Sequence, residues 1–141
     1  MLERGPALLL DTCALIWIAE DEPISASAVE ALNGAHEAGQ PVFVSPITAW
    51  ELGLLIARGR VACLINPRLW FQRLLDSAEL RLADMSTDVL ITSSFLPGTP
   101  PRDPADRIIA ATGREFGYIV VTRDQALLDY AAQGHMQALT C

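Results

Sequence analysis

The sequence predicts an α/β fold in which a central parallel β-sheet is flanked by helices on both faces. Two observations support this prediction. Short apolar or β-branched runs alternate with segments of helical periodicity along most of the chain. Parallel strands need long crossover connections, so strands separated by helices indicate right-handed β-α-β units. The 141 residues, without repeat or linker, predict one domain over residues 1–141.

The first part of the chain predicts two buried strands and three helices. Residues 7–11 (ALLLD) form a short apolar run that ends in a carboxylate, as expected of a strand buried on both faces. A helix over 14–20 follows, and the next, over 26–37, begins after a serine N-cap. Residues 41–45 (PVFVS) predict the second strand. The helix over 46–57 has a proline in its first turn, where the missing N–H costs nothing.

The middle of the chain predicts further alternation and then a break. Residues 67–78 begin at a proline and carry apolar residues at helical spacing. Residues 80–84 (LRLAD) alternate like a strand with one wetter face, and a serine can cap a short helix over 86–95. Residues 97–103 (PGTPPRD) contain three prolines and one glycine, which predicts a loop.

The last part predicts two helices and two strands. Asp103 followed by a proline is an N-cap signal for a helix that continues to about residue 116 and ends at a glycine. Residues 118–122 (YIVVT) give the strongest strand signal of the chain. A helix over 124–133 and a short strand over 137–141 complete the fold. The large aromatic residues at helical or strand spacing are expected in the core; they are Trp17, Trp50, Trp70, Phe71, Phe95 and Tyr118.

Composition and charge exclude several classes of protein. The chain has 17 acidic and 10 basic residues, a net charge of −7, and every basic residue is arginine. Without lysine there is no P-loop and no Schiff-base chemistry. The three cysteines are scattered, which disfavours thiolate zinc sites. Residues 1–11 do not resemble a secretory signal and no apolar run reaches the ~20 residues that span a bilayer, so we expect a cytoplasmic protein.

Acidic residues follow or adjoin several of the predicted strands. Open parallel sheets place functional groups beyond the carboxyl ends of their strands. Four elements can direct carboxylates to that edge, through Asp11, Glu51, Asp103, Asp106 and Asp124. Grouped carboxylates repel unless a cation shares the site, and hard oxygen ligands suit Mg²⁺ or Mn²⁺. Such a site usually serves phosphoryl chemistry, and hydrolysis by a metal-activated water is the simplest reaction available.

Purely structural roles are open for several of these acids. Asp11, Asp103 and Asp124 can each act as a helix N-cap, and Asp106 can complement a helix macrodipole. Glu51 is harder to explain in this way, because it is the only charged residue on the apolar helix ITAWELGLLIA. Taken together, the five acids favour a site more strongly than any one of them does.

Four stretches of the chain resemble the PIN-domain nucleases, and within them the VapC-like toxins of type II toxin–antitoxin pairs. They are LLLDTCALIWI at 8–18, VSPITAWELGLLIARGRV at 44–61, RDPADRIIAATG at 102–113 and YIVVTRDQAL at 118–127. They occur in the order and spacing of the family, and the resemblance covers nearly the whole chain. It implies a parallel sheet flanked by helices, in agreement with the fold predicted from periodicity.

The resemblance also implies site residues and partners. The metal ligands and catalytic residues carried over by position are Asp11, Glu51, Asp106 and Asp124. Asp103 and Thr12 become auxiliary residues, and Cys13 departs from the His or Ser of many relatives. The implied activity is an Mg²⁺- or Mn²⁺-dependent endoribonuclease that leaves 5′-phosphate and 3′-hydroxyl ends. The implied partners are RNA, a cognate antitoxin and a second copy in a homodimer, with the helices over 46–57 and 67–78 as candidate interfaces. A PIN-fold RNA-processing nuclease and a non-catalytic interaction module are the alternatives.

The arginines are distributed unevenly. Residues 52–75 contain four arginines and no acid, so they carry +4 and the rest of the chain −11. Planar guanidinium groups suit phosphate contacts. The candidates for RNA binding are Arg58, Arg60, Arg102, Arg107 and Arg123, with Arg68 and Arg73 in the same basic segment. The alternative is that these are surface arginines paired with helix acids.

Overall fold

A computed structural model describes residues 5–141 of the chain. Its centre is a five-stranded sheet in the order β3-β2-β1-β4-β5, with every neighbouring pair parallel. The strands are β1 (Leu8–Leu10), β2 (Val42–Val44), β3 (Leu80–Leu82), β4 (Ile119–Thr122) and β5 (Gln137–Thr140). Each lies within a predicted strand, although each is one or two residues shorter. The predicted fold class is confirmed.

Seven helices connect the strands in the described part of the chain. They are α1 (Thr12–Ala19), α2 (Ala26–Glu37), α3 (Pro46–Ala57), α4 (Pro67–Ser77), α5 (Thr87–Thr92), α6 (Pro104–Phe116) and α7 (Gln125–Ala132). The predicted serine caps are confirmed, since Ser25 and Ser86 each accept a hydrogen bond from the backbone N–H three residues on. Helix α1 begins earlier than expected, directly after Asp11, so Thr12 and Cys13 lie in its first turn.

The sheet separates two apolar clusters, which places helices on both of its faces. Leu8 and Leu10 of β1 point to a cluster with residues of α1, α2, α3 and α4. Leu9, between them, points to the other cluster, with residues of α5, α6 and α7. This alternation follows from the two-residue period of a strand, and β1 is buried on both sides because helices cover both faces.

Two predictions about the core are wrong. Trp50 is 56% exposed and Phe95 is 78% exposed, although their spacing predicted burial. The other four aromatic residues do pack against the two clusters. Periodicity identifies a helix but does not say how many of its faces find a partner, and α3 is apolar almost all round.

Within residues 5–141, no helix is both long enough and apolar enough to cross a membrane. The prediction of one domain over residues 1–141 stays a prediction, and its first four residues lie outside the described range.

Candidate active site

The register of the sheet places Asp11 beside the end of β4. Strands β1 and β4 pair with Leu10 opposite Val121, so the next residues, Asp11 and Thr122, are neighbours at the carboxyl edge. The backbone N–H of Asp11 donates to the Val121 carbonyl at 3.1 Å. Asp124 follows two residues after Thr122. Two acids that are far apart in the sequence therefore meet because their strands are adjacent.

The Asp11 carboxylate is 3% exposed, and both of its oxygens accept hydrogen bonds. The backbone N–H of Ala14 donates to Oδ1 at 2.8 Å, which makes Asp11 the N-cap of α1. The Thr122 hydroxyl donates to Oδ2 at 2.5 Å and accepts from the backbone N–H of Asp124 at 2.9 Å. A buried carboxylate needs such partners. Asp11 is therefore a helix N-cap, which is the structural role left open in the sequence analysis. The cap also fixes the position of its side chain at the edge of the site.

Glu51 lies in the second turn of α3 and is half-buried. The Thr12 hydroxyl donates to its Oε1 at 2.5 Å, and the Thr48 hydroxyl lies 2.9 Å from that of Thr12. Thr12, an auxiliary residue in the sequence analysis, is thus in contact with a carboxylate. Its hydroxyl links the start of α1 to Glu51 on α3.

The remaining acids lie at the starts of α6 and α7. Asp103 is the N-cap of α6 and accepts from the backbone N–H of Asp106 at 3.0 Å. Asp124 is the N-cap of α7 and accepts from the backbone N–H of Leu127 at 3.0 Å. Both caps were predicted. Each cap uses one carboxylate oxygen, which leaves the other oxygen for a second role.

The carboxylates of the site lie close enough for their charges to act on one another. The pKa of Asp106 is raised to about 7, first by burial and then by the charges of Asp124, Asp103, Glu51 and Asp11. The pKa is displaced for three carboxyl groups of the site, and of these Asp106 is repelled by the largest number of charged neighbours. Asp106 therefore lies near the centre of the cluster.

The pKa values of three other groups near the site are also raised. Burial raises the pKa of Asp11 and of Glu51, against the hydrogen bonds that Thr122 and Thr12 donate to them. Cys13 lies at the exposed rim. Partial burial and the surrounding carboxylates raise the pKa of its thiol to about 11. The Cys13 thiol therefore stays protonated at neutral pH in the metal-free protein.

A groove of about 490 Å³ opens beside these acids. Its lining includes Arg102, Asp103, Asp106 and Asp124. The anionic groups around it are carboxylates, which suit a hard divalent cation. Among residues 5–141, no three metal-binding side chains already stand close enough to hold one ion together.

The predicted RNA-binding arginines are in two situations. Arg58, Arg60 and Arg102 are exposed. Arg107 donates to the Ser93 carbonyl at 3.4 Å. Arg123 donates to the carbonyls of Pro23 and Cys141 and lies 3.9 Å above the Trp17 ring, which favours a structural role for it.

The alternative of arginines paired with helix acids finds no support between residues 5 and 141. The ion pair found there joins His36 to Glu79. The exposed arginines keep their guanidinium groups available for an external anion.

Two residues of the site were missed in the sequence. Thr122 and Thr48 are both completely buried, and both bond to site groups. Thr48 precedes Glu51 by three positions, so both lie on one face of α3. Thr122 ends a strand two residues before an acid. These spacings could have identified both residues as candidates.

Comparison with known proteins identifies relatives over nearly the whole chain. The PIN domain family profile matches residues 8–133. The chain is 35% identical to Ribonuclease VapC22 of Mycobacterium tuberculosis over 121 residues, which cover 85% of this chain and 88% of that protein.

Solved structures resemble the fold at lower identity. The structure of VapBC2 from Rickettsia felis bound to a promoter DNA fragment superimposes with a TM-score of 0.67 at 15% identity, over 95% of this chain and 98% of that chain. A structure of FitAB bound to the IR36 DNA fragment gives a TM-score of 0.62 at 21% identity, over 94% of each chain. At these identities the likeness shows the fold alone.

Proposed function

Because this chain belongs to the PIN-domain family, we propose that it is an Mg²⁺- or Mn²⁺-dependent endoribonuclease and the toxin of a toxin–antitoxin pair. The observation that supports the proposal is the grouping of carboxylates from four elements near the carboxyl edge of the sheet, within reach of one another's charge. Their charges act on one another strongly enough to help raise the pKa of Asp106 to about 7. A fold that tolerates such repulsion is suited to a bound cation.

The residues that would hold the ion are Asp11, Glu51, Asp106 and Asp124, with Asp103 as an auxiliary acid. Asp11 is kept in one orientation by Ala14 and Thr122, and Glu51 by Thr12. Asp103 and Asp124 are oriented by the helices that they cap. The chain therefore fixes most of its acids before any ligand arrives, which lowers the ordering cost of binding.

The donor set fits a hard divalent ion. Since no three of these groups yet converge at ligand distance in the described residues, water is expected to complete the coordination, as is usual for Mg²⁺. When bound, such an ion polarises a phosphodiester and makes water a stronger nucleophile at neutral pH. The carboxylates hold and orient it, and exposed arginines hold the RNA backbone.

Partners belong to the same proposal. The resemblance to VapC-like toxins, together with the VapBC2 and FitAB structures among the neighbours, supports a cognate antitoxin. The exposed Trp50 side chain lies on α3, one of the two helices predicted as candidate interfaces, and supports an association surface there, as a homodimer would need. The cytoplasmic location predicted from the sequence stays a prediction.

A ribonuclease assay tests the proposed activity. Purified protein is incubated with RNA and either Mg²⁺, Mn²⁺ or EDTA, beside the variant Asp11→Asn. Asparagine keeps the size of the side chain and an acceptor for Ala14, so the variant loses charge rather than shape. We expect cleavage with either metal, with loss of at least about a hundredfold for the variant. Cleavage that persists in both EDTA and Asp11→Asn would refute the mechanism.

The two alternatives are separated by other readouts. If the protein is a non-catalytic PIN-fold interaction module, the wild type should cleave no RNA with either Mg²⁺ or Mn²⁺. An RNA-processing nuclease predicts cleavage without growth arrest when the protein is expressed. A toxin predicts growth arrest that a small protein encoded next to it relieves.

A further inference from the structure

The Thr48 hydroxyl points out of its own helix toward the candidate site. Thr48 lies in the first turn of α3 and its side chain is 0% exposed. Its hydroxyl lies 2.9 Å from that of Thr12 on α1. A buried hydroxyl needs a hydrogen-bond partner inside the protein, and the Thr12 hydroxyl is the partner of Thr48.

The direction of these hydrogen bonds follows from the number of protons available. An ionised carboxylate can only accept, so the single hydroxyl proton of Thr12 is donated to Glu51. Thr48 must therefore be the donor in its contact with Thr12. The chain of hydrogen bonds runs in one direction, from Thr48 to Thr12 to the Oε1 atom of Glu51.

A second buried threonine shows the usual arrangement in a helix. Thr112, on α6, is also 0% exposed, and its hydroxyl donates to the Ile108 carbonyl one turn earlier at 2.7 Å. At Thr48 the corresponding carbonyl belongs to Val44, which lies in β2 before α3 begins and accepts from the backbone N–H of Ala83 at 2.8 Å. The Thr48 hydroxyl instead contacts another helix, where its partner is the residue that contacts Glu51.

We propose that Thr48 is a positioning residue that holds Glu51, through Thr12, in the orientation that receives the divalent ion. The inference rests on the proposed function, since it assigns Glu51 to the ion. The Oε1 atom of Glu51 is fixed by Thr12, and among the described residues no protein group donates to Oε2, which is left for a ligand. Without Thr48, the Thr12 hydroxyl still donates to Glu51 but loses the donor that helps to fix its rotation, so Glu51 is held less firmly.

Calorimetric titration of the 141-residue chain with MnCl₂ tests this role. The variants are Thr48→Val, which keeps the side-chain shape, Thr48→Ser, which keeps the hydroxyl, and Thr112→Val, which removes a buried hydroxyl that bonds within its own helix. We expect Thr48→Val to weaken Mn²⁺ binding about threefold to tenfold, less than loss of a direct partner of a ligand. Thr48→Ser is expected to bind within about twofold of the wild type. Thr112→Val is expected to bind like the wild type while lowering the melting temperature.

A double-mutant cycle makes the test independent of general destabilisation. In a Thr12→Val background, Thr48→Val should weaken Mn²⁺ binding no further, because the link is already broken. An equal effect in both backgrounds, or unchanged binding in a folded Thr48→Val, overturns the inference. If Thr48→Val does not fold, Thr48→Ala removes the same hydroxyl without placing a methyl group against Thr12.

The outcome is distinguishable from a failure of the proposed function. Wild type that binds no Mn²⁺, or Asp11→Asn that binds it equally well, refutes the metal site itself. Wild-type binding that Asp11→Asn abolishes and Thr48→Val leaves intact refutes only the role of Thr48.

Discussion

Three carboxylates of the candidate site combine an observed structural role with the proposed role as ligands. Asp11, Asp103 and Asp124 each cap a helix through one carboxylate oxygen, and the charges of all three act on Asp106. The capping role and the site role thus support each other, because the cap fixes the acid that a ligand would use. At these three positions, a role as helix cap therefore does not exclude a role as ligand.

The sequence allowed these acids to be predicted because each follows a strand end or begins a helix. Spacing in the sequence could mark Thr48 and Thr122 as candidates but could not assign their roles, since those roles depend on contacts between elements distant in the chain. Thr122 contacts Asp11 because β1 and β4 are adjacent and in register. Neither the strand order nor the register can be obtained from periodicity alone.

The raised pKa of Asp106 predicts how the metal-free protein responds to pH. The pKa of Asp106 is about 7 in the folded chain, whereas in the unfolded chain it has the ordinary value of a carboxyl group. At any pH between these two values, the folded chain holds a proton on Asp106 that the unfolded chain has lost. Stability from this group is present at low pH and is lost as pH rises through about 7. In EDTA, the melting temperature of the wild type should fall from pH 5 to pH 8.

The matched variants for this measurement are Asp106→Asn and Glu115→Gln. Asp106→Asn removes the titrating group and should flatten the fall with pH. Glu115 is an exposed acid on the same helix, so Glu115→Gln should keep the wild-type profile. A profile that Asp106→Asn leaves unchanged would show that another group causes the fall.

At the scale of elements, the loop over residues 97–103 is held firmly in place. The Tyr130 hydroxyl donates to the Pro97 carbonyl at 2.7 Å, and the Gln133 amide group both accepts from and donates to the Thr99 backbone. A side chain at Gly98 would collide with the His135 ring. The loop leads directly into Asp103, so these contacts set the position where α6 begins.

Gly98→Ala tests the importance of this loop. Gly98 has φ = +69°, and Gly117 has the same φ but open space around it. Gly117→Ala therefore costs only the backbone conformation, about 1 kcal/mol. Gly98→Ala adds a steric clash and should reduce the free energy of unfolding by about 2–4 kcal/mol. Equal losses in urea unfolding would show that the contact with His135 is unimportant.

The elements themselves were largely predictable, whereas their surroundings were not. Strong local signals located the helices, such as the proline that begins α3 and the glycine that ends α6. The exposure of Trp50 and Phe95 could not be obtained in this way. It depends on which helix faces the rest of the fold leaves uncovered.

At the scale of the whole molecule, the charge is divided. Five of the 17 acidic residues belong to the candidate site, while residues 52–75 carry +4 within a total of −7. Arg58 is the C-cap of α3, seven residues beyond Glu51, which corresponds to about 10 Å along the helix axis. At that distance, Arg58 could contact a backbone phosphate of a bound RNA strand that is not the phosphate cleaved at the site.

Replacement of Arg58 and Arg60 by glutamine tests this arrangement. RNA binding of the double variant should weaken, and the slope of log affinity against log salt should decrease by about 0.7 for each phosphate that an arginine no longer neutralises. Fluorescence anisotropy in EDTA measures binding without cleavage. Arg81→Gln, which removes an exposed arginine outside the basic segment, should change neither quantity. An unchanged salt slope in the double variant would remove these arginines from the RNA-binding surface.

The central claim is that Asp11, Glu51, Asp106 and Asp124 together hold a divalent ion. Its most direct test is anomalous diffraction at the manganese edge from crystals of this protein grown with MnCl₂. We expect an anomalous peak between these four carboxylates, and no such peak in crystals of Asp11→Asn grown in the same way. A manganese peak only at another place, or the same peak in crystals of Asp11→Asn, would contradict the claim.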